Sequence, residues 1–147
     1  MMKRKSFLTA FAFIGVLLSL VSCNDKAVVP AQLPAEIQSF VQQTFPNQAI
    51  TYAEKDWKLF GSEYDVVLAD GTQISFGTDK VWDKVESHMN AVPASLVPAP
   101  IATFVNTNYP SVAIVKLDKE RNGYEVELAN DLELKFNQAG ALMGMDD

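Results

Sequence analysis

The chain of 147 residues has one cysteine, one histidine, seven glycines and no basic run beyond residue 5. Each scarcity removes a class of function. A single Cys and a single His cannot form a disulfide framework or a Cys/His zinc site within the chain. Without clustered Lys and Arg the chain cannot neutralise a phosphate backbone, so no nucleic acid is expected as a partner. Among so few glycines there is neither a phosphate-cradling loop nor a Gly-x-Ser-x-Gly elbow. After residue 22 no apolar run approaches the roughly 18 residues of a membrane-spanning helix.

What is present begins with an address. Lys3, Arg4 and Lys5 precede the mostly apolar stretch from Phe7 to Val21, which ends in Leu20-Val21-Ser22-Cys23. A charged start, a short apolar core and a small residue before the boundary describe an export signal over residues 1–22. The tetrapeptide resembles a bacterial lipobox, whose Cys thiol is the nucleophile that becomes a thioether to diacylglycerol. Cys23 is therefore the expected lipid attachment site, and residues 23–32 the expected tether. From Cys23 onward 125 residues remain, with 9 cations against 18 acids and a formal charge of -9. Two or more acyl chains give stable anchoring. The expected location is the cell envelope, lipid-anchored on a periplasmic or surface face, with the outer membrane as the expected bilayer.

The remainder reads as two related segments, 33–90 and 91–147. Leu33–Pro46 laid over Val97–Pro110 gives six identities in 14 positions, including Ile37/Ile101, Phe40/Phe104 and Val41/Val105. Tyr64–Phe76 laid over Tyr124–Phe136 repeats Tyr, Val, Leu, Ala and Phe, at an offset smaller by four, so four residues are missing between Lys119 and Tyr124. Ile37, Phe40, Val41 and Phe45, like Ile101, Phe104, Val105 and Tyr109, form one apolar stripe of a helix. Pro34 and Pro98 suit the first helical turn, and Pro46 and Pro110 stop it. Beyond each helix the pattern alternates: Tyr64, Val66 and Leu68, then Asp70-Gly71 as a turn, then Ile74 and Phe76. Segments 49–57 and 113–119 read as preceding strands, and 80–86 and 141–145 as following ones. The expected fold is α+β: a tandem duplication of a helix followed by three to four antiparallel strands, with the helices packed on one face of the sheet.

A helix ending in Phe/Tyr-Pro, a strand, Tyr-x-Val-x-Leu, a turn and Ile/Leu-x-Phe, repeated behind a lipobox, resembles the PepSY-like family of secreted bacterial proteins. That family is similar in fold to beta-lactamase inhibitor protein. The resemblance covers residues 33–147 and implies a binding or inhibitory module, with no family catalytic residue to carry over.

The residues themselves point the same way. His88 lies in the segment linking the two copies, with no nucleophile or acid pattern beside it, so no enzyme and no cofactor are expected. Asp79-Lys80-Val81-Trp82-Asp83 lacks the spacing of a calcium loop. Two surfaces stand out. Trp57, Phe60 and Trp82 occur in the first copy only, where the second has Arg121, no equivalent, and Leu142; large rigid rings of this kind suit interface anchors, and Trp82 equally suits a place beneath the helices. Glu125, Glu127 and Glu133 alternate onto one strand face of the second copy, a candidate acidic surface for a small ligand or calcium. The leading expectation is a non-enzymatic module binding a protein or peptide of the envelope, in the form of a hydrolase or peptidase inhibitor. The alternative is a small-ligand or calcium-binding module.

Overall fold

The computed structural model describes residues 25–146. The expected signal segment, residues 1–22, and Cys23 lie outside the described residues. The chain forms β1 (Asp25–Ala27), a 3-10 turn (Pro30–Gln32), α1 (Ala35–Thr44), and then β2 (Ile50–Lys58), β3 (Gly61–Leu68), β4 (Gln73–Phe76) and β5 (Trp82–Glu86). A second 3-10 turn (Ala94–Leu96) leads into α2 (Ala99–Asn108), followed by β6 (Ile114–Glu120), β7 (Gly123–Leu128), β8 (Glu133–Asn137) and β9 (Leu142–Asp146). The described residues thus form an α+β fold with two α-helices and one nine-stranded sheet. Its strands lie side by side in chain order, each antiparallel to the next.

Proline sets both helix ends, with one correction. Pro34 and Pro98 sit one position before the first turn, at the N-cap, where their carbonyls accept from Ile37 and Gln38 and from Ala102. At the other end Phe45 and Tyr109 leave the helical region (ψ 61° and 59°), as a following proline requires, while still donating to Val41 and Val105 at 2.8 Å. The expected tether, residues 23–32, is described from Asp25 onward. Residues 25–27 form an edge strand in register with Asp56, Lys55 and Glu54, and Val28 donates to the Ala53 carbonyl at 2.8 Å.

The core lies on one side of the sheet. Register links Ala53, Val66, Ile74, Val85, Leu117, Val126 and Leu134 into a single row across seven strands, and every member is fully buried. Burying side chains of this size contributes roughly 1.5–3 kcal/mol each for Val, Leu or Ile. Trp82 and Val85 share this side although they are three residues apart, because a bulge between β4 and β5 absorbs one residue; another between β8 and β9 does the same for Leu142 and Met145. From α1, Phe40 meets Phe76 edge-on at 5.5 Å and stacks on Trp82 at 6.3 Å. From α2, Phe104 meets Phe136 edge-on at 5.5 Å. Inside, the Thr72 and Ser87 hydroxyls pair at 3.2 Å, and no buried side-chain N or O among the described residues lacks a partner.

Candidate functional site

On the side away from the core the charged residues also fall into rows. One runs Glu54, Asp65, Ser75, Lys84, Asp118, Glu125, Lys135 from β2 to β8. The next runs Tyr52, Val67, Gln73, Glu86, Lys116, Glu127, Glu133, Asp146 from β2 to β9. The acidic face expected only at Glu125, Glu127 and Glu133 therefore spans both halves of the sheet. Carboxylates stand directly opposite one another in Glu54/Asp65, Asp56/Glu63, Asp118/Glu125, Glu127/Glu133 and Glu133/Asp146. Like charges in that relation are destabilising.

Lysines thread the face and relieve part of this repulsion. Lys58 bridges Asp56 and Glu63, and these two hydrogen bonds raise its pKa. Lys116 Nζ reaches Glu125 at 3.2 Å, Lys84 reaches Glu86 at 3.3 Å, and Lys135 lies between Glu133 and Asp146 at 3.3 and 2.8 Å. The exposed pairs among these contribute little, because water and salt screen them. Two carboxyls titrate high: Asp83 because of burial and then its neighbours Asp118, Glu63 and Asp65, and Asp118 because of burial, against the pull of Lys116 and Lys84. Among the described residues no group of three or more His, Cys, Asp or Glu is arranged to hold a metal ion. His88 is exposed in the linker, its Nε2 3.4 Å from Glu86.

The aromatic candidates separate. Trp82 is only 9% exposed, under Phe40 and with the Lys119 ammonium 3.4 Å from its ring centroid, so it is a core residue and not an accessible anchor. Burial also lowers the pKa of Lys119, with Asp83 and Asp79 pulling the other way. Trp57 and Phe60 are 55% and 87% exposed on the hairpin of β2 and β3, whose two-residue turn is Leu59-Phe60, with Leu59 88% exposed. Trp57 lies on the same side as the core row. It is two residues from Lys55, whose Nζ sits 3.7 Å from its ring centroid and 5.9 Å from that of buried Tyr64. The apolar tip and the acidic face are thus two surfaces, not one.

The corresponding hairpin of β6 and β7 is shorter. Lys55 pairs with Tyr64 and Lys119 with Tyr124, but between these pairs and the turn the first hairpin adds Asp56/Glu63 and Trp57/Ser62. Arg121 is accordingly a turn residue, placed like Leu59, and Trp57 has no counterpart. Leu59 went unnoticed in the sequence, although its position beside Phe60 in a two-residue turn was a readable signal. The shallow hollows beside the helices, one of about 420 Å³ between α1 and the Pro30 turn and one of about 160 Å³ between α2 and Val92, converge no titratable groups.

With the two helices, the continuous meander and these surfaces defined, the family follows. The model of the family described as "Putative beta-lactamase-inhibitor-like, PepSY-like" matches residues 19–60 and 62–144, and the chain belongs to that family. Among solved structures it is similar to a "putative calcium-regulated periplasmic protein" from Bacteroides thetaiotaomicron, at 30% identity over 84% of this chain and 98% of the other, TM-score 0.78. It is also similar to two Bacteroides vulgatus proteins, each described as a "putative periplasmic protein". One is 31% identical over 86% of this chain and 99% of the other, TM-score 0.79. The second is 29% identical over 84% and 99%, TM-score 0.78. No curated protein matches the chain.

Proposed function

We propose that this protein is a non-enzymatic binding module of the cell envelope, anchored through lipid on Cys23, whose open sheet face receives a cationic segment of a protein or peptide. The five opposed carboxylate pairs carry this reading: the face holds charge repulsion that a Lys- or Arg-bearing partner relieves on binding. The periplasmic descriptions of the three similar structures support the location, and the inhibitor-like description of the family supports a hydrolase or peptidase as the partner. We read segments 33–90 and 91–147 as copies of one helix-plus-four-strand unit. Both helices then lie on the core side and leave the other side of all nine strands to the partner.

The test is affinity capture from envelope extract with the full-length protein. The partner is expected on the wild type, lost from the Glu127→Gln/Glu133→Gln variant and released by high salt, which screens exposed charges beyond about 3 Å at 1 M. A partner retained by the variant would sink the assignment to this face.

A second reading has one specific observation in its favour, the calcium-regulated description of a structure 30% identical to this chain. Calcium on the acidic face would raise the melting temperature, because a ligand bound only by the native state stabilises it. A melting curve unmoved by millimolar calcium removes this reading.

A further inference from the structure

We propose that the tip of the hairpin of β2 and β3, Trp57 with Leu59 and Phe60, is a membrane foot that seats in the interface of the bilayer holding the lipid on Cys23. The proposal rests on the lipid-anchor reading and is independent of what the open face binds. Leu59 and Phe60 are the most exposed large apolar side chains of the described residues, at 88% and 87%, and they stand together in one turn.

The direction of β1 decides what covers them. Asp25 lies opposite Asp56, Lys26 opposite Lys55 and Ala27 opposite Glu54, so following the chain from Ala27 back to Asp25 leads along β2 toward the tip. Cys23 is two residues before Asp25, a span of at most about 7 Å. Acyl chains on Cys23 therefore bring the bilayer to this end of the sheet, with β1 leaving no slack for a long tether. The longer reach of this hairpin adds about 7 Å, two residue pairs, beyond the level of the Arg121-Asn122 turn.

The chemistry of the tip fits an interface between hydrocarbon and water. Indole and phenyl rings are favoured at headgroup depth, and lysines extend their charge toward water while their stems lie on apolar surface. Lys55 is folded over the Trp57 ring at 3.7 Å. Lys58, at the base of the turn, bridges Asp56 and Glu63 on the hairpin's other side and offsets part of their charge.

The experiment uses the full-length protein, acylated and reconstituted into vesicles of phosphatidylethanolamine and phosphatidylglycerol with and without brominated acyl chains. Tryptophan emission reports depth, and the Trp57→Phe variant, which keeps only Trp82, gives the background. Trp57 emission is expected to fall roughly twofold or more in brominated vesicles, and to recover in Leu59→Ser/Phe60→Ser, which removes the apolar contact but not the anchor. Intact mass separates the two premises. A protein without acyl mass on Cys23 overturns the anchor reading and this proposal with it. An acylated protein whose Trp57 is unquenched overturns this proposal alone, and if the serine variant then also releases a captured envelope protein, the tip belongs to a protein partner.

Discussion

The hairpin joining β2 to β3 and the hairpin joining β6 to β7 occupy equivalent places after their helices, yet one ends in Leu59-Phe60 and the other in Arg121-Asn122. Below the tips they agree. Tyr64 and Tyr124, Val66 and Val126, and Leu68 and Leu128 all point into the core side, and the paired glycines Gly61 and Gly123 close both turns. These shared residues pack, and the tips diverge where they meet solvent; Trp82 differs from both, divergent yet buried. The largest expected effect tests that division at Trp82, which sits opposite Phe76 as Leu142 sits opposite Phe136. Trp82→Ala removes a buried ring and costs roughly 3–5 kcal/mol, whereas half-buried Leu142→Ala costs about half as much. Urea unfolding with an unchanged slope measures both. Equal costs would mean that the two halves bear the core alike.

The closing glycines give the next contrast. A Cβ on Gly123 would lie 1.8 Å from the Phe136 carbonyl oxygen and 2.8 Å from Asn137 Cα, so Gly123→Ala must displace backbone. A Cβ on Gly61 meets Thr78 at ordinary to slightly tight distances, 3.3 Å at its nearest, and its strain comes from φ +132°. The expected losses are about 3 kcal/mol for Gly123→Ala and about 1–2 kcal/mol for Gly61→Ala. The following turns differ in a smaller way: Gly71 has φ 86°, and Asp131 takes its place in the second half with φ 67°. Asp tolerates this region better than Ala does, so Asp131→Ala is expected to lose about 1 kcal/mol in the same urea assay.

Much of this architecture was legible because the packing residues repeat. The stripe of Ile37, Phe40 and Val41, the alternation from Tyr64 to Phe76 and the four-residue difference between the hairpins all correspond to elements of the structure. Strand β1 was not legible: Asp25-Lys26-Ala27 has no apolar pattern, since an edge strand is held by backbone hydrogen bonds that any residue can make. The side on which Trp57 stands was hidden by the irregularity between Ile50 and Tyr52, which shifts the period of two at the start of β2. The extent of the acidic face was hidden for a related reason. Glu54 and Asp65 join Asp118 and Glu125 in one row only through the register of β4, β5 and β6, which pairs residues far apart in sequence.

The smallest effects are electrostatic, and they compare the first turn, the second turn and the seam where the halves meet. Burial alone would raise the Asp70 carboxyl, but the Thr72 amide and hydroxyl and the Asn90 side chain together hold it below 3.8. A carboxyl with a lowered folded pKa contributes stability above its unfolded pKa and loses it as pH falls through the folded value. Asp70→Asn, which installs the residue type of Asn130, should therefore cost a few tenths of a kcal/mol at pH 7, about the size of other exposed charge effects, and nothing once the pH has fallen through the folded value. At the seam the sign reverses. Asp118, opposite Lys84, and its neighbour Asp83 have raised folded pKa values, so the native state holds their protons more tightly than the unfolded chain does. Their contribution is present below the unfolded pKa of about 4 and is lost as pH rises through the folded value. Asp118→Asn should thus raise the melting temperature at pH 7, by about a degree or two for a few tenths of a kcal/mol, and the gain should vanish near pH 3. A gain that persisted at pH 3 would mean that the substitution acts through packing and not through the charge crowded between the two halves.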